Sequence, residues 1–103
     1  MIRIFKNNNI PTIYVHGEMS GHSNSLEVTN AIKELIENGY EGRIEIDLSN
    51  ATLIDSINLG MLVLTYKRYD TDKNDIIIVN PKGMVYRVLH ESNLYKVLKI
   101  IEK

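Results

Sequence analysis

Asp55 and Ser56 set a carboxylate beside a hydroxyl within IEIDLSNATLIDSINLG, residues 44–60. Ahead of the pair, Ile44, Ile46 and Leu48 alternate with Glu45 and Asp47, a strand pattern that breaks at Ser49-Asn50. From Ile57 onward the apolar spacing becomes helical. A strand therefore delivers the pair to the first turn of a helix. There the backbone N–H groups lack partners and the helix dipole is positive, so a phosphate can be held. The same residues also suit a plain N-cap, and spacing alone does not choose between the two. A serine nucleophile would need a base, and none is identifiable; the residues do not form G-x-S-x-G either.

Other chemistry-bearing side chains are less organised. His16, Glu18 and His22 fall in one short stretch with Gly17 and Gly21, but no His-x-x-x-His spacing exists, so no metal site is expected. His90 reads as a solvated residue or a partner of a helix C-terminus. The glycines do not make G-x-G-x-x-G, and no Walker lysine is present. Lys67, Arg68, Arg87, Lys96 and Lys99 are scattered, with Asp70, Asp72 and Asp75 near the first two. With a net charge of -1, neither a nucleic-acid surface nor an anionic-membrane surface is expected. The absence of cysteine excludes disulfides, thiol catalysis and cysteine metal ligands. No signal-peptide core occurs, nor any apolar run approaching about 18 residues, so a cytoplasmic location is expected.

The elements that must position Ser56 follow from periodicity. The 103 residues make one domain, 1–103, with little room for a deep cleft. Residues 2–5 read as an edge strand, 6–9 as a turn, and 12–15 as a second, antiparallel strand with Pro11 at its start. Residues 16–22 read as a loop. Asn24 and Glu27 have capping-box spacing ahead of a helix through Val28, Ala31, Ile32, Leu35 and Ile36, with Gly39 as its left-handed cap. After the strand at 44–48, the helix from Ser56 carries dense apolar residues: Ile57, Leu59, Met61, Leu62, Val63, Leu64 and Tyr66. It ends near Asp70, and a polar turn follows. Ile76 to Val79 is an unbroken β-branched run, as in a strand covered on both faces. Asn80-Pro81 predicts an N-cap with proline at the first helical position. Met84, Val85, Val88 and Leu89 then make a helix that stops at Ser92-Asn93. The last apolar segment, through Leu94, Val97, Leu98, Ile100 and Ile101, fits a strand or a short helix. Strands alternating with helices imply parallel pairing with right-handed crossovers.

In this order several motifs resemble the STAS domain, specifically the small bacterial anti-sigma factor antagonists. Gly17-Glu18-Met19 resembles the Gly-Glu-Leu loop of that family, and residues 46–49 its third-strand ending. Residues 55–60, Asp-Ser-Ile-Asn-Leu-Gly, resemble its Asp-Ser-Ser-Gly-Leu-Gly signature. Asn80-Pro81, the Val85-x-x-Val88-Leu89 pattern and Ser92-Asn93-Leu94 resemble its closing strand, helix and turn. The resemblance spans nearly the whole chain. It implies an α/β STAS fold: a mostly parallel four- to five-stranded sheet with an N-terminal antiparallel strand and helices mainly on one face.

The resemblance also implies a function. Such proteins are partner-switching modules rather than enzymes, and they use no cofactor. Ser56 would be phosphorylated by a cognate anti-sigma factor serine kinase. The unphosphorylated form would bind that kinase, and a phosphatase would reset phospho-Ser56. The partner surface would draw on Glu18, Met19, Ser20, Asp55, Ser56, Ile57, Asn58 and Met61, on a monomer or weak dimer. This chain departs from the pattern at Ile57, which replaces a second serine, at Asn58, which replaces glycine, and at Ser20, which replaces an aspartate. The alternative within the same family is a STAS scaffold or small-ligand sensor that is never phosphorylated, with a pocket near residues 17–22.

Overall fold

The computed structural model describes residues 2–103, the Ser23 side chain excepted. The chain opens with a tight hairpin. Strand β1 (Ile2–Asn7) pairs antiparallel with β2 (Ile10–Met19), Asn7 standing opposite Ile10. Between them Asn8 and Asn9 have φ of 54° and 66°. A two-residue type I′ turn requires positive φ at both positions, which asparagine tolerates. The turn is therefore shorter than residues 6–9, and β1 includes the polar Lys6 and Asn7 on its exposed edge.

Five strands line up in the order β1-β2-β3-β4-β5, with β3 (Gly42–Ile54), β4 (Asn74–Val79) and β5 (Ile100–Ile101) all parallel to β2. Helices α1 (Gly21–Glu37), α2 (Ser56–Tyr69) and α3 (Gly83–Glu91) make the crossovers. Sequential parallel order with right-handed crossovers puts all three on one face. The core agrees: Ile13, Ile46 and Ile78 are register neighbours, and they share one buried cluster with Val28, Ile32, Leu62, Val85 and Leu89. Among the described residues no helix is long and apolar enough to cross a membrane.

Strand β3 runs 13 residues, well beyond the break predicted at Ser49-Asn50. It bulges there instead of ending. While β2 advances from Tyr14 to His16, β3 advances from Asp47 to Asn50, and a second extra residue follows between Ala51 and Leu53. Asp47 Oδ1 accepts the Ser49 N–H at 2.8 Å and the Ser49 hydroxyl at 2.6 Å, satisfying groups the bulge would leave unpaired. The same pairing makes residues 16–19 strand rather than loop. On the face of β3 away from the helices, Glu45 is 2% exposed. Arg43 Nε lies 2.9 Å from one of its oxygens and Lys103 Nζ 2.6 Å from the other, so the buried charge is neutralised.

Two predicted caps are corrected. Helix α1 begins at Gly21 behind an extended Ser20, and Asn24 lies inside the first turn, its Nδ2 donating to Ser20 O at 2.7 Å. Helix α3 begins at Gly83 behind Lys82. Asn80 takes φ 56°, which turns the chain before a helix can start, and Pro81 stays outside it. The predicted Gly39 cap is present. Gly39, at φ 94°, donates to Ile36 O, and Tyr40 donates to Leu35 O, each at 3.0 Å. The last segment is a single 3₁₀ turn (Leu94–Lys96) followed by β5. His90 is packed between Tyr86 and Tyr95, with ring centroids 4.0 and 5.1 Å away.

Candidate functional site

The C-terminal ends of β2 and β3 and the N-termini of α1 and α2 meet at Asp55. Its N–H donates to Met19 O at 3.0 Å, which ties the two strand ends together. Its backbone is extended, and its side chain caps α2: Oδ1 accepts the Asn58 N–H at 2.8 Å. Oδ1 also accepts Asn58 Nδ2 at 2.8 Å, and Oδ2 accepts the Gly21 N–H at 2.9 Å. One carboxylate thus holds the starts of both helices. These donors, led by the Asn58 side chain and followed by the Asn58 and Gly21 N–H groups, hold the Asp55 carboxyl below the ordinary value of 3.8. Asp55 therefore stays ionised at neutral pH.

Ser56 is the first residue of α2 and is exposed. Its hydroxyl has no hydrogen-bond partner among the described residues. Among the described residues no histidine or lysine hydrogen-bonds it, as activation of a nucleophile would require. The position instead suits an acceptor of a group brought from outside. The first-turn N–H groups and the dipole favour added negative charge. Asp55, one residue away, opposes it.

Asn58 proves to be part of the scaffold. It is 1% exposed, and its Nδ2 also donates to Gly21 O at 3.2 Å. Met19, at 4% exposed, is likewise core. Neither offers contact surface, so of the eight residues expected to bind a partner these two are buried instead. Glu18 and Ile57 are exposed, and Ser20, Asp55 and Met61 are half-buried. Two residues outside that set enlarge the surface. Leu64 is 61% exposed and extends an Ile57, Met61, Leu64 stripe at helical spacing along α2. Leu26, on α1, is also exposed. The signal was in the sequence: α2 has too many apolar residues for one buried face, so some must face water. Where α1 and α2 touch, Thr29 and Thr65 hydroxyls bond at 2.7 Å.

The interior behind the site leaves no room for a ligand. The space among Met19, Asn24, Val28, Asn58 and Leu62 is about 10 Å³, scarcely one water. His16, Glu18 and His22 do not converge, and among the described residues no group of three or more metal-ligating side chains does.

A strand order of 1-2-3-4-5 with an antiparallel hairpin first, three crossover helices, and an aspartate-capped serine after β3 now stand together. The STAS domain family model matches residues 1–103. The chain belongs to the STAS domain family. Solved structures with the same fold include an anti-sigma factor antagonist from Mycobacterium paratuberculosis, 20% identical with TM-score 0.79, over 97% of this chain and 83% of that one. Another is the anti-sigma factor antagonist SpoIIAA in its unphosphorylated form, 14% identical with TM-score 0.72, over 100% of this chain and 89% of that one. At these identities the likeness is one of fold.

Proposed function

We propose that this STAS domain is an anti-sigma factor antagonist, a partner-switching module controlled by phosphorylation of Ser56. The observation that carries the reading is the exposed Ser56 hydroxyl at the start of α2, fixed beside the ionised Asp55 and next to an apolar stripe. In its unmodified form the domain binds an anti-sigma factor serine kinase through Glu18, Ser20, Ser56, Ile57, Met61 and Leu64. A phosphate adds about -1.5 to -2 charges. The α2 terminus tolerates that charge, so the fold survives. A partner surface built for a neutral hydroxyl does not tolerate it, and the adjacent Asp55 adds like-charge repulsion. A phosphatase then resets the switch. The domain supplies no catalytic group, and it needs no cofactor, nucleic acid or membrane for this role.

Ile57 in place of a second hydroxyl leaves one acceptor in the turn. Asn58 in place of glycine supplies the amide that fastens Asp55 to Gly21. Both departures are compatible with a rigid switch in which only the interface changes. Incubation with ATP and a cognate anti-sigma factor serine kinase should add one phosphate, detected by intact mass, and Ser56→Ala should abolish it. Continued phosphorylation of the Ser56→Ala protein, or none of the wild type, overturns the proposal.

A further inference from the structure

The two edges of the sheet differ. Strand β5 is only two residues long, a common way to blunt an edge. Strand β1 has six residues, no proline and no bulge, and five of the six are exposed. The hairpin register sets which backbone groups it leaves open. Asn7 and Ile10 flank the two-residue turn and form the hydrogen-bonded pair next to it, so pairing alternates back along the strand. Phe5 and Arg3 also exchange bonds with β2, opposite Thr12 and Tyr14. Lys6, Ile4 and Ile2 then direct both N–H and C=O outward, away from the sheet. The alternation also accounts for Pro11 opposite Lys6, where no N–H is required by the hairpin.

The side chains on this edge are unusually apolar for an unpaired strand. Ile4 is 47% exposed and Phe5 56%. Ile4 lines an open hollow of about 440 Å³ with Pro11, Leu35 and Tyr40. On the other face Phe5 packs edge-on against Tyr14 at 5.9 Å.

We infer that β1 is a homodimerisation edge, pairing antiparallel with β1 of a second copy about a two-fold axis at Ile4. Three registers bring more than one outward-facing residue of each chain into pairing. With Arg3 opposite Arg3 of the other copy, only Ile2 and Ile4 pair, and like charges meet. With Phe5 opposite Phe5, only Ile4 and Lys6 pair. Centring on Ile4 uses every open group: Ile4 pairs with its own copy, and Ile2 pairs with Lys6 twice. That register also sets Arg3 across from Phe5 of the other chain on one face, two cation–π neighbours related by the axis. On the opposite face the two Ile4 side chains meet beside the hollow, with Ile2 next to Lys6. A second copy is thus the occupant that matches this edge in backbone, apolar and charge terms, and the contact is isologous and closed. The result is a ten-stranded sheet. None of Glu18, Ser20, Ser56, Ile57 or Met61 lies on the edge, so both switch surfaces stay free and the dimer is bivalent.

Sedimentation of the full chain over a concentration series tests this, with hydrogen exchange as an independent readout. Wild type should dimerise by about 1 mM, the weak end of specific association, and Ile4→Lys, which sets like charges on the axis, should weaken that at least tenfold. In the dimer the Ile2, Ile4 and Lys6 amides should gain protection with concentration, while Arg3 and Phe5, already bonded to β2, should not change. A wild type that stays monomeric throughout, a dimer indifferent to Ile4→Lys, or protection appearing only when an extended peptide is added would each overturn the inference.

Discussion

Replacing Asn58 with aspartate probes the scaffold beneath the switch with almost no change in shape. The Asn58 amide stands 2.8 Å from Asp55 Oδ1 and 3.2 Å from Gly21 O, at 1% exposure. Asn58→Asp turns a donor between two acceptors into a third acceptor and buries a second carboxylate against the first. An uncompensated buried charge costs roughly 3–5 kcal/mol. An acidic residue in the first turn of α2 recovers about 0.3–1 kcal/mol through the dipole. The net loss at pH 7 is therefore roughly 2–5 kcal/mol, a large share of the 5–15 kcal/mol typical of a small domain. Urea unfolding of wild type and variant measures it, with equal slopes required for the comparison. The pH dependence has a definite sign. Burial and the like charge raise the folded value of the new carboxyl above its unfolded value of about 3.9. The penalty is thus full at neutral pH and shrinks as pH falls through that raised value. A loss under about 1 kcal/mol at pH 7, or one independent of pH, refutes the clamp, because such a result needs the position 58 side chain to face something other than a carboxylate.

Asp55 itself gives the opposite slope. Its folded value is lowered, so the stability it adds is present above 3.8 and lost as pH falls through the folded value; the gap between wild type and Asp55→Asn should close in urea melts below pH 3.8. Leu64→Glu, at a 61% exposed position, should leave stability within about 0.5 kcal/mol yet weaken kinase binding at least tenfold in a titration. Leu89→Ala, on the fully buried face of α3, should cost about 2–5 kcal/mol in chemical unfolding. Gly39→Ala meets no atom within 4 Å but must hold φ 94°, so backbone strain alone should cost roughly 1–2 kcal/mol.

Periodicity was legible wherever one face is buried. The α1 positions Val28, Ala31 and Ile32, the β-branched run of β4, and the start of α2 at Ser56 all lie where their spacing puts them. Irregular backbone was not legible. Ser49-Asn50 looks like a chain break because a bulge and a loop both favour small polar residues, and only pairing with β2 tells them apart. Asn80-Pro81 looks like a helix start, yet Asn80 is in the left-handed region and the helix waits for Gly83. Within the site, Ser56 and Asp55 were readable from local sequence. The role of Asn58 was not, because its partners include Gly21, 37 residues away. Glu45 alternates like a solvent-facing residue, and besides the nearby Arg43 its neutralisation draws on Lys103, 58 residues away. Contacts of that range leave no periodic trace.

The proposed switch is Ser56. Its most direct test is the affinity of the cognate anti-sigma factor kinase for this domain before and after stoichiometric phosphorylation of Ser56, by calorimetric titration. Unmodified protein should bind at least tenfold more tightly, a difference of about 1.4 kcal/mol or more. Equal affinities for the two forms would contradict it.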